Sequence, residues 1–243
     1  MQTPADEKIL AVIPAFNEEG KVGRVVEKIR QTGAVDGIVA VDDCSSDTTS
    51  QEAASSGAAV IRHEKNMGVG AAIRTGINYG IQNDFQICVI LSGDDQHEPQ
   101  EIERVVAPIR EGRCDFVQGS RRLKGGNVVN DRPFRKVATQ SFSLFFSLVA
   151  RKRITDATNG FRAFRLTLFD DPEIEIDQDW LDRYELEPYI LFKAVKSKKV
   201  RVIEVPITIY YHGNRKAFTK MKPFRDWWRI AKPLIYLALR LRK

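Results

Sequence analysis

The chain has 243 residues, which is enough for one α/β domain with peripheral additions, and its charged fraction of 29% predicts a soluble protein. The formal net charge of +6 allows an anionic partner without requiring one. The three cysteines show neither a disulfide framework nor a metal-ligand spacing, which favours a reducing cytoplasm. No apolar run is typical of a signal peptide or approaches the roughly 20 residues of a spanning helix, so any membrane contact is expected to be peripheral.

In the first half of the chain, short apolar runs alternate with helical patterns. The apolar runs predict five strands, at residues 9–14, 37–41, 58–61, 86–91 and 115–118. The patterns between them predict four helices, at residues 19–31, 48–56, 69–81 and 99–110. Strands that alternate with helices of this length indicate a mostly parallel sheet with helices on both faces.

The second half is less regular. Its patterns predict three helices and two strands, at residues 134–150, 185–197 and 224–241 for the helices and 160–165 and 200–211 for the strands. Pro206 interrupts the last strand and indicates an edge or a bend. No repeat or linker divides the chain, so we expect one domain over residues 1–222 and a basic amphipathic helix over residues 223–243.

Charge is unevenly distributed along this second half. Residues 121–165 hold eleven Lys and Arg against two acids, and residues 220–243 hold eight against one. Residues 170–187 hold nine acids and one base. Any one run can be ordinary solvated surface, but two basic segments flanking an acidic one predict faces of opposite potential.

Ligands bind beyond the carboxyl ends of the strands in a sheet of this kind, so the polar residues after each strand are site candidates. Two acidic pairs follow the second and fourth strands: Asp42 with Asp43, and Asp94 with Asp95. Acids gathered without an equal number of bases need a cation, and Mg²⁺ or Mn²⁺ bridging a carboxylate and a diphosphate would supply it. We expect a functional residue in each pair, whereas Asp47 and Asn17 are of the type that caps helices.

Two common nucleotide-binding patterns do not occur in the sequence. Neither GxGxxG nor GxxxxGK[ST] is present, which disfavours a dinucleotide dehydrogenase and a P-loop enzyme. A glycine-containing segment, NMGVG at residues 66–70, does open a predicted helix. Glycines at such a position would allow a ligand to approach the backbone closely.

Several segments in order resemble glycosyltransferase family 2. They are PAFNE near the N-terminus, VDDCSSDTT after the second strand, NMGVGAA before a helix, and GDDQHEP after the fourth strand. The later segments GSR, GG, DATNGFRAF and EVPI resemble the dolichol-phosphate mannosyltransferase branch, whose members charge polyprenyl phosphates with mannose or glucose. The resemblance covers about residues 8–222.

This resemblance implies a fold, a reaction and partners. The fold is a single GT-A type domain, Rossmann-like, with a mostly parallel central sheet. The reaction is an inverting transfer of a hexose from a GDP- or UDP-sugar to polyprenyl phosphate, assisted by Mg²⁺ or Mn²⁺. The implied place is the membrane surface, with the protein cytoplasmic and peripheral on the inner face of the membrane.

The resemblance also implies roles for individual residues. Those that would hold the base and ribose of the donor are Pro14, Phe16, Glu18, Val41 and Asp43. Those that would complete the nucleotide-sugar site are Ser92, Gly93, Asp94 and, in a closing loop, Lys220. Asp94 would bind the metal with the diphosphate, and Gln96 would lie beside the donor sugar. Arg121 and Arg135 would face the phosphates of donor and acceptor.

The chain departs from the branch pattern in three places. Ser92 stands where the family's DxD has its first acid, so a two-carboxylate metal site is not expected. The arginine expected after EVPI has no clean counterpart, and Arg215 is the nearest candidate. The acidic insert at residues 170–182 has no counterpart in the branch pattern.

Two other functions remain open at this stage. A sugar-to-sugar transferase of the same fold would need a general base, with Asp182, Glu185 or Glu187 as candidates. A basic nucleic-acid-binding module is disfavoured, because no aromatic-studded RNA strand or zinc spacing is present and the acidic edge would repel a polyanion. We therefore expect no nucleic-acid partner.

The C-terminal helix and the helix at residues 134–150 each have an apolar face. In the C-terminal helix, helical spacing predicts one apolar face, made of Phe224, Trp227, Trp228, Ala231, Ile235 and Ala238. The flanking cations are Arg225, Arg229, Lys232 and Arg240. This face suits an anionic membrane, or packs on the domain or a second subunit.

The helix at residues 134–150 is open to two interpretations as well. Its apolar residues are Phe142, Leu144, Phe145, Phe146 and Leu148. They could face an isoprenoid tail or cover the sheet. Of the histidines, His63 and His212 are expected at the surface, and His97 either lines the site or is structural.

Overall fold

The computed structural model describes residues 7–211, 225–239 and 241. Its nine strands among these residues are β1 (Ile9–Ala15), β2 (Gly37–Asp42), β3 (Ala59–Arg62), β4 (Ile87–Ile90), β5 (Phe116–Ser120), β6 (Asn127–Val129), β7 (Arg162–Arg165), β8 (Val202–Pro206) and β9 (Thr208–Tyr210). The α-helices described are α1 (Val22–Thr32), α2 (Thr49–Ser55), α3 (Val69–Gln82), α4 (Ile102–Arg110), α5 (Pro133–Ala150), α6 (Leu186–Lys196) and α7 (Arg225–Ala238).

Seven strands form the central sheet in the order β3-β2-β1-β4-β7-β5-β8. All neighbours are parallel except β7, which runs antiparallel to both β4 and β5. In register, Ala15 at the end of β1 lies opposite Asp42 at the end of β2, and Val12 of β1 lies opposite Ile90 of β4. The carboxyl ends of β1, β2 and β4 therefore meet at one edge, as the strand pattern predicts.

The core lies on both faces of this sheet, because the central strands are apolar throughout. Six of the seven residues of β1 are buried, as are all four of β4. Side chains that point to one face pack with α3, α5, α6 and α7, and those that point to the other pack with α1 and α4. The predicted α/β sheet with helices on both faces is confirmed.

The predicted elements are present, with ends shifted by a few residues, and one strand was missed. Residues 99–110 begin as a 3₁₀ turn, Pro99–Glu101, before α4. The strand predicted at residues 200–211 is two strands, because the chain leaves the central sheet after Pro206. The second part, β9, pairs in parallel with the unpredicted β6 in a two-stranded sheet.

The glycines of the 66–70 segment approach the chain itself. A Cβ on Gly68 would collide with the carbonyl oxygen of Asp182, and one on Gly70 with those of Leu181 and Arg183. The amide of Ala71 donates to the Asp182 carbonyl at 2.8 Å. The expected close approach is therefore made by the segment that ends the acidic insert, which lies on the N-terminal end of α3.

The C-terminal helix packs on the domain through α5 and α6. Leu234 is fully buried in the core, and Ile230 and Leu237 pack against it. Two of the cations assigned to a membrane face, Arg229 and Lys232, instead lie near the buried carboxylate of Glu185, at 3.9 and 3.6 Å. The side chains of Phe224 and Trp227 are outside the described residues.

Candidate active site

Asp42 organises the loop after β2. Its buried carboxylate accepts the Ser45 amide at 2.8 Å and the hydroxyls of Ser45 and Ser50, and it pairs with Arg62 at 3.2 Å. These donors occupy both oxygens. Of the first acidic pair, Asp42 therefore has a structural role.

Asp43 lies beside it and is also buried, but its partners come from the next loop. The carboxylate accepts the amides of Met67 and Gly68 at 2.8 and 2.7 Å, and it contacts Nδ1 of His63 at 2.8 Å. His63 also contacts the Thr75 hydroxyl at 3.0 Å, so this histidine is enclosed, and the expectation of a surface residue is wrong. Two bonds fall on Oδ1 and one on Oδ2, which leaves an acceptor position on Oδ2 for a ligand.

The loop after β1 is tied to the loop after β2. The amides of Asn17 and Glu18 donate to the hydroxyls of Ser45 and Thr49, at 2.8 and 2.7 Å. Asn17 in turn accepts the Ser46 amide, so it links the two loops and does not cap a helix. The N-cap residue of α2 is Thr48, and Asp47, one residue before it, accepts the amide of Thr49 at 3.1 Å.

Besides Asp43, four of the predicted nucleotide-binding residues lie on or beside this pair of loops. Glu18 is buried and pairs with Lys21 at 2.8 Å, whereas Pro14 and Phe16 are partly exposed. Val41 is fully buried, with its side chain in the core, so a ligand would reach it through the backbone. Pro14 lies opposite Val41 in the sheet, and the two strand ends form one continuous edge.

The second acidic pair divides between two roles. Asp95 has a positive φ of 61°, which turns it away from the edge toward α1, where it pairs with Lys28 at 2.8 Å and Arg24 at 3.3 Å. Asp94 remains at the strand end. Burial raises the pKa of Asp94 to about 6, against the lowering effect of the Ser92 hydrogen bond, and the negative charge of Glu18 raises it further. Asp94 is thus a carboxylate whose negative charge the protein leaves under-compensated.

The donor set at Asp94 fits a divalent cation held jointly with a ligand. Within the described parts of the chain, no three His, Cys, Asp or Glu side chains converge as a metal cluster. Asp94 would supply one carboxylate, Ser92 lies beside it, and a bound diphosphate would supply further oxygens. Mg²⁺ is commonly held by one or two carboxylates, substrate phosphates and water, so the single acid suffices.

His97 fixes the loop that bears Asp94. Its Nδ1 accepts the Ser92 amide at 3.0 Å, and its ring stacks on Phe161 with centroids 5.2 Å apart. Burial, together with the nearby charge of Arg121, lowers the pKa of His97 to about 3, so the ring is neutral. Between the alternatives for this residue, the structure favours the structural one. Gly93 is buried against the end of β1.

The same loop reaches the two-stranded sheet. The carbonyl of Gln96 accepts the amide of Tyr210, the last residue of β9, at 2.9 Å. The neighbouring strand, β6, follows the basic loop after β5. The edge of the sheet that bears Asp94 is therefore joined by hydrogen bonds to the region of the predicted arginines.

Arg121 is buried at the end of β5 and pairs with Asp156. Its Nε and Nη2 donate to the two carboxylate oxygens, both at 2.6 Å, and Nη1 donates to the hydroxyl of Tyr211 at 2.6 Å. Burial opposes the charge of this guanidinium, but the hydrogen bonds and charge of Asp156 raise the pKa of Arg121 above its ordinary value. Arg121 is therefore a fixed cation with few donors left for a ligand.

Arg135, in the first turn of α5, meets Arg121 on the same aromatic residue. Its guanidinium carbon lies 3.9 Å from the ring centroid of Tyr211. One tyrosine thus accepts a hydrogen bond from one predicted arginine and stacks under the other. Tyr211 is not among the predicted site residues, because nothing in the sequence of a strand-end aromatic residue shows which arginines it contacts.

An open cavity of about 500 Å³ adjoins Arg121 and the first turn of α5. It is lined by the loop after β5, β6 and the start of α5: Arg121, Arg122, Gly126, Asn127, Val128, Asp131, Arg132, Pro133 and Lys136. Four of these are cations and one is an acid, and that acid, Asp131, pairs with Arg122 at 3.1 Å. The cavity therefore suits an anion.

The candidate general bases all lie near cations. Asp182 pairs with Arg74 at 2.6 Å, Glu187 lies 3.5 Å from Arg162, and Glu185 lies under α7. Lys220 and Arg215 are outside the described residues, as is His212.

Comparison with known proteins gives the family. The model for "Glycosyl transferase family 2" matches residues 10–171. An undecaprenyl-phosphate mannosyltransferase of Micrococcus luteus is 29% identical over 83% of this chain and 83% of its own length. The UDP-N-acetylglucosamine–dolichyl-phosphate N-acetylglucosaminyltransferase of Methanococcus voltae is 31% identical over 85% of this chain and 87% of its own.

Solved structures agree on the fold. A glucosyl-3-phosphoglycerate synthase of Mycobacterium tuberculosis, crystallised with Mn²⁺, UDP-glucose and phosphoglyceric acid, superposes with a TM-score of 0.71 at 18% identity. The match covers 98% of this chain and 80% of that one. The fold is that of the GT-A glycosyltransferases, and the chain is a glycosyltransferase that belongs to glycosyl transferase family 2.

Proposed function

We propose that this enzyme transfers a hexose from a GDP- or UDP-sugar to a polyprenyl phosphate, with inversion at the anomeric carbon. The relatives from Micrococcus luteus and Methanococcus voltae are named for transfer to undecaprenyl and dolichyl phosphate, which supports this acceptor class. The observation that carries the proposal is the meeting of Arg121 and Arg135 on Tyr211, beside a basic cavity and next to the loop that bears Asp94.

The donor is expected to bind at the edge formed by β1, β2 and β4. Asp43 offers its remaining acceptor position to the base or ribose, with Pro14, Phe16 and Glu18 around it. Ser92, Gly93 and Asp94 face the diphosphate, and Gln96 lies toward the sugar. A Mg²⁺ or Mn²⁺ ion bound there would act as a Lewis acid that neutralises charge on the departing diphosphate.

We expect the acceptor phosphate to bind in the basic cavity. Arg121 and Arg135 would direct its oxygen toward the anomeric carbon. In the reaction an acceptor phosphate oxygen forms a bond to the anomeric carbon while the bond from that carbon to the diphosphate oxygen breaks. The products are the lipid-linked sugar phosphate and a nucleoside diphosphate. Because the acceptor oxygen is already anionic near neutral pH, it needs positioning more than a general base.

The geometry of the candidate bases favours this acceptor over a sugar hydroxyl. Asp182 is engaged by Arg74, and Glu185 lies between α6 and the cations of α7. Glu187 is the remaining candidate, and it lies beside Arg162. A base for a neutral hydroxyl would have to leave one of these contacts.

The proposal is tested with a panel of GDP- and UDP-hexoses, each assayed for hydrolysis and for transfer to a short-chain polyprenyl phosphate. We expect metal-dependent transfer from one nucleotide-sugar, with the opposite anomeric configuration in the product by NMR. Transfer to a free saccharide hydroxyl, with polyprenyl phosphate ignored, would replace this function with sugar-to-sugar transfer.

Membrane attachment follows from the acceptor, and we place the enzyme peripherally on the cytoplasmic face. Among the described residues, no helix has both the length and the apolar character needed to cross a bilayer.

A further inference from the structure

The helix α5 has two apolar faces, and only one of them belongs to the core. Phe142 and Phe146 are buried against the domain, together with Thr139 and Ser143. Phe142 and Phe146 join the hydrophobic core on one face of the sheet, where α5 packs on α6 and α7. The other apolar residues of the helix lie on the opposite side.

The outer face consists of large apolar side chains in the open. The exposed fractions are 82% for Phe134, 62% for Val137, 63% for Leu144 and 68% for Leu148, and Phe145 is exposed beside them. At about 100° per residue, these five side chains fall within an arc of roughly 100°, opposite the buried face. Single exposed apolar residues need no explanation, but a stripe along an 18-residue helix indicates a binding surface.

Charge around this outer face identifies the kind of partner. Residues 132–155 contain six Lys and Arg and no acid. Three of the cations lie before or in the first turn of α5, and three follow its end: Arg132, Arg135, Lys136, Arg151, Lys152 and Arg153. The stretch between them, residues 137–150, has no charged residue. An apolar stripe with cations at both ends fits a bilayer with anionic headgroups.

The position of the helix connects this surface with the cavity. Pro133 and Lys136, in the first turn of α5, line the basic cavity, and Phe134 and Val137 lie next to them in sequence on the outer face. The neighbouring helix α7, which packs on α5, leaves Trp228 half exposed. Tryptophan is favoured at the headgroup level of a membrane.

We propose that the outer face of α5 is the membrane-docking surface of this enzyme, and that it lies in the headgroup region of an anionic bilayer. This proposal rests on the proposed function, since it places the cavity mouth where the phosphate of a bilayer-embedded lipid emerges. It assigns the attachment to Phe134, Val137, Leu144, Phe145 and Leu148. The cations of α7 that face Glu185 are not part of it.

The test is sedimentation of the full chain with two kinds of vesicle. One kind contains phosphatidylcholine alone, and the other also contains roughly 30% of the anionic lipid phosphatidylglycerol. The variant is Leu144→Glu with Leu148→Glu, and the matched control is Ile81→Glu, a large apolar residue exposed on α3. We expect the wild type and the control to bind the anionic vesicles, and binding to weaken in high salt. The double variant should lose about tenfold or more in partitioning, since two apolar side chains leave the bilayer.

Three outcomes would overturn the proposal. They are no binding of the wild type to anionic vesicles, equal binding of the double variant, and a wild-type dimer in sedimentation velocity that the double variant abolishes. The last would assign this face to a second copy of the chain.

Transfer to a short-chain, water-soluble polyprenyl phosphate separates this proposal from the proposed function. The double variant should keep that activity, which also shows that it folds, and lose activity on vesicle-embedded acceptor. If the wild type binds vesicles as expected but transfers to neither acceptor, the proposed function fails and the docking surface stands.

Discussion

The edge proposed to bind the donor (the donor edge) and the region proposed to bind the acceptor phosphate (the acceptor region) are built in different ways. At the donor edge, acids at the ends of β2 and β4 are held by backbone amides and hydroxyls of loops at the same edge of the sheet, as Asp43 is by the amides of Met67 and Gly68, 24 and 25 residues away. In the acceptor region, Arg121 is held by side chains 35 and 90 residues away, Asp156 and Tyr211. The first is fixed by the topology of the sheet, whereas the second depends on how distant segments pack.

The balance of charge differs in the same way. At the donor edge, the negative charge of Asp94 is under-compensated, because burial and the charge of Glu18 raise its pKa. The acceptor region uses both acids of its basic segment, Asp131 and Asp156, to orient arginines. Under the proposed function, the donor edge would take its counter-charge with the ligand, whereas the acceptor region presents cations that are already positioned.

The largest effect is expected from Asp94→Asn, which removes the charge and keeps the shape. Transfer should fall by about a thousandfold or more, as for loss of several kcal/mol of charge stabilisation. Folding should improve, because a carboxyl whose pKa is raised to about 6 costs the folded state stability as pH rises from about 4 to above 6. We expect about 1–2 kcal/mol of added stability at pH 7 by urea denaturation.

The matched control for this substitution is Asp95→Asn. Asp95 faces Lys28 and Arg24, so its loss should lower stability and leave metal dependence intact. Full activity of Asp94→Asn, or of the wild type in excess chelator, would show that the donor edge does not recruit a cation.

Asp156→Asn should destabilise the folded acceptor region. The substitution leaves Arg121 buried without a counter-charge, and removal of one partner of such a pair costs about 3–5 kcal/mol. Denaturant unfolding measures the loss, and Asp131→Asn, whose partner Arg122 is less buried, should cost less. Equal stability of the two variants would mean that Arg121 is not held as the structure indicates.

Asp43→Ala should weaken nucleotide binding by about 1–3 kcal/mol, because an acceptor at the end of β2 is lost. Calorimetry with the nucleoside diphosphate measures this directly. His63→Phe provides the comparison, since it removes one partner of Asp43 and keeps the acceptor position on Oδ2. Unchanged affinity in Asp43→Ala would restrict this residue to holding the 67–68 amides.

The sequence pattern predicted the donor edge better than the acceptor region. Parallel strands must end at one edge, so the placement of Asp43 and Asp94 followed from the strand pattern alone. The pattern could not show that Asp42 and Asp95 turn to Arg62 and α1, because side-chain direction at a strand end depends on the loop. It also missed β6, a three-residue strand, and the meeting of two arginines on Tyr211, since both arise from contacts distant in sequence.

The smallest effect is expected from Arg135→Lys, and it should be confined to binding of the acceptor. Lysine keeps the charge and loses the planar fork that can engage two phosphate oxygens and stack on an aromatic ring. We expect the KM for polyprenyl phosphate to rise about tenfold, the equivalent of one bidentate contact of roughly 1.4 kcal/mol, with little change in the KM for the nucleotide-sugar.

Two substitutions at Tyr211 distinguish the contribution of its ring, which stacks on Arg135, from that of its hydroxyl, which Arg121 contacts. Tyr211→Phe keeps the ring beneath Arg135 and removes the hydroxyl that Arg121 contacts, whereas Tyr211→Leu removes both. If stacking positions Arg135, the phenylalanine variant should keep the acceptor KM near the wild-type value and the leucine variant should resemble Arg135→Lys. Steady-state kinetics that vary each substrate decide the matter, and a rise in the nucleotide-sugar KM alone would move Arg135 from the acceptor to the donor.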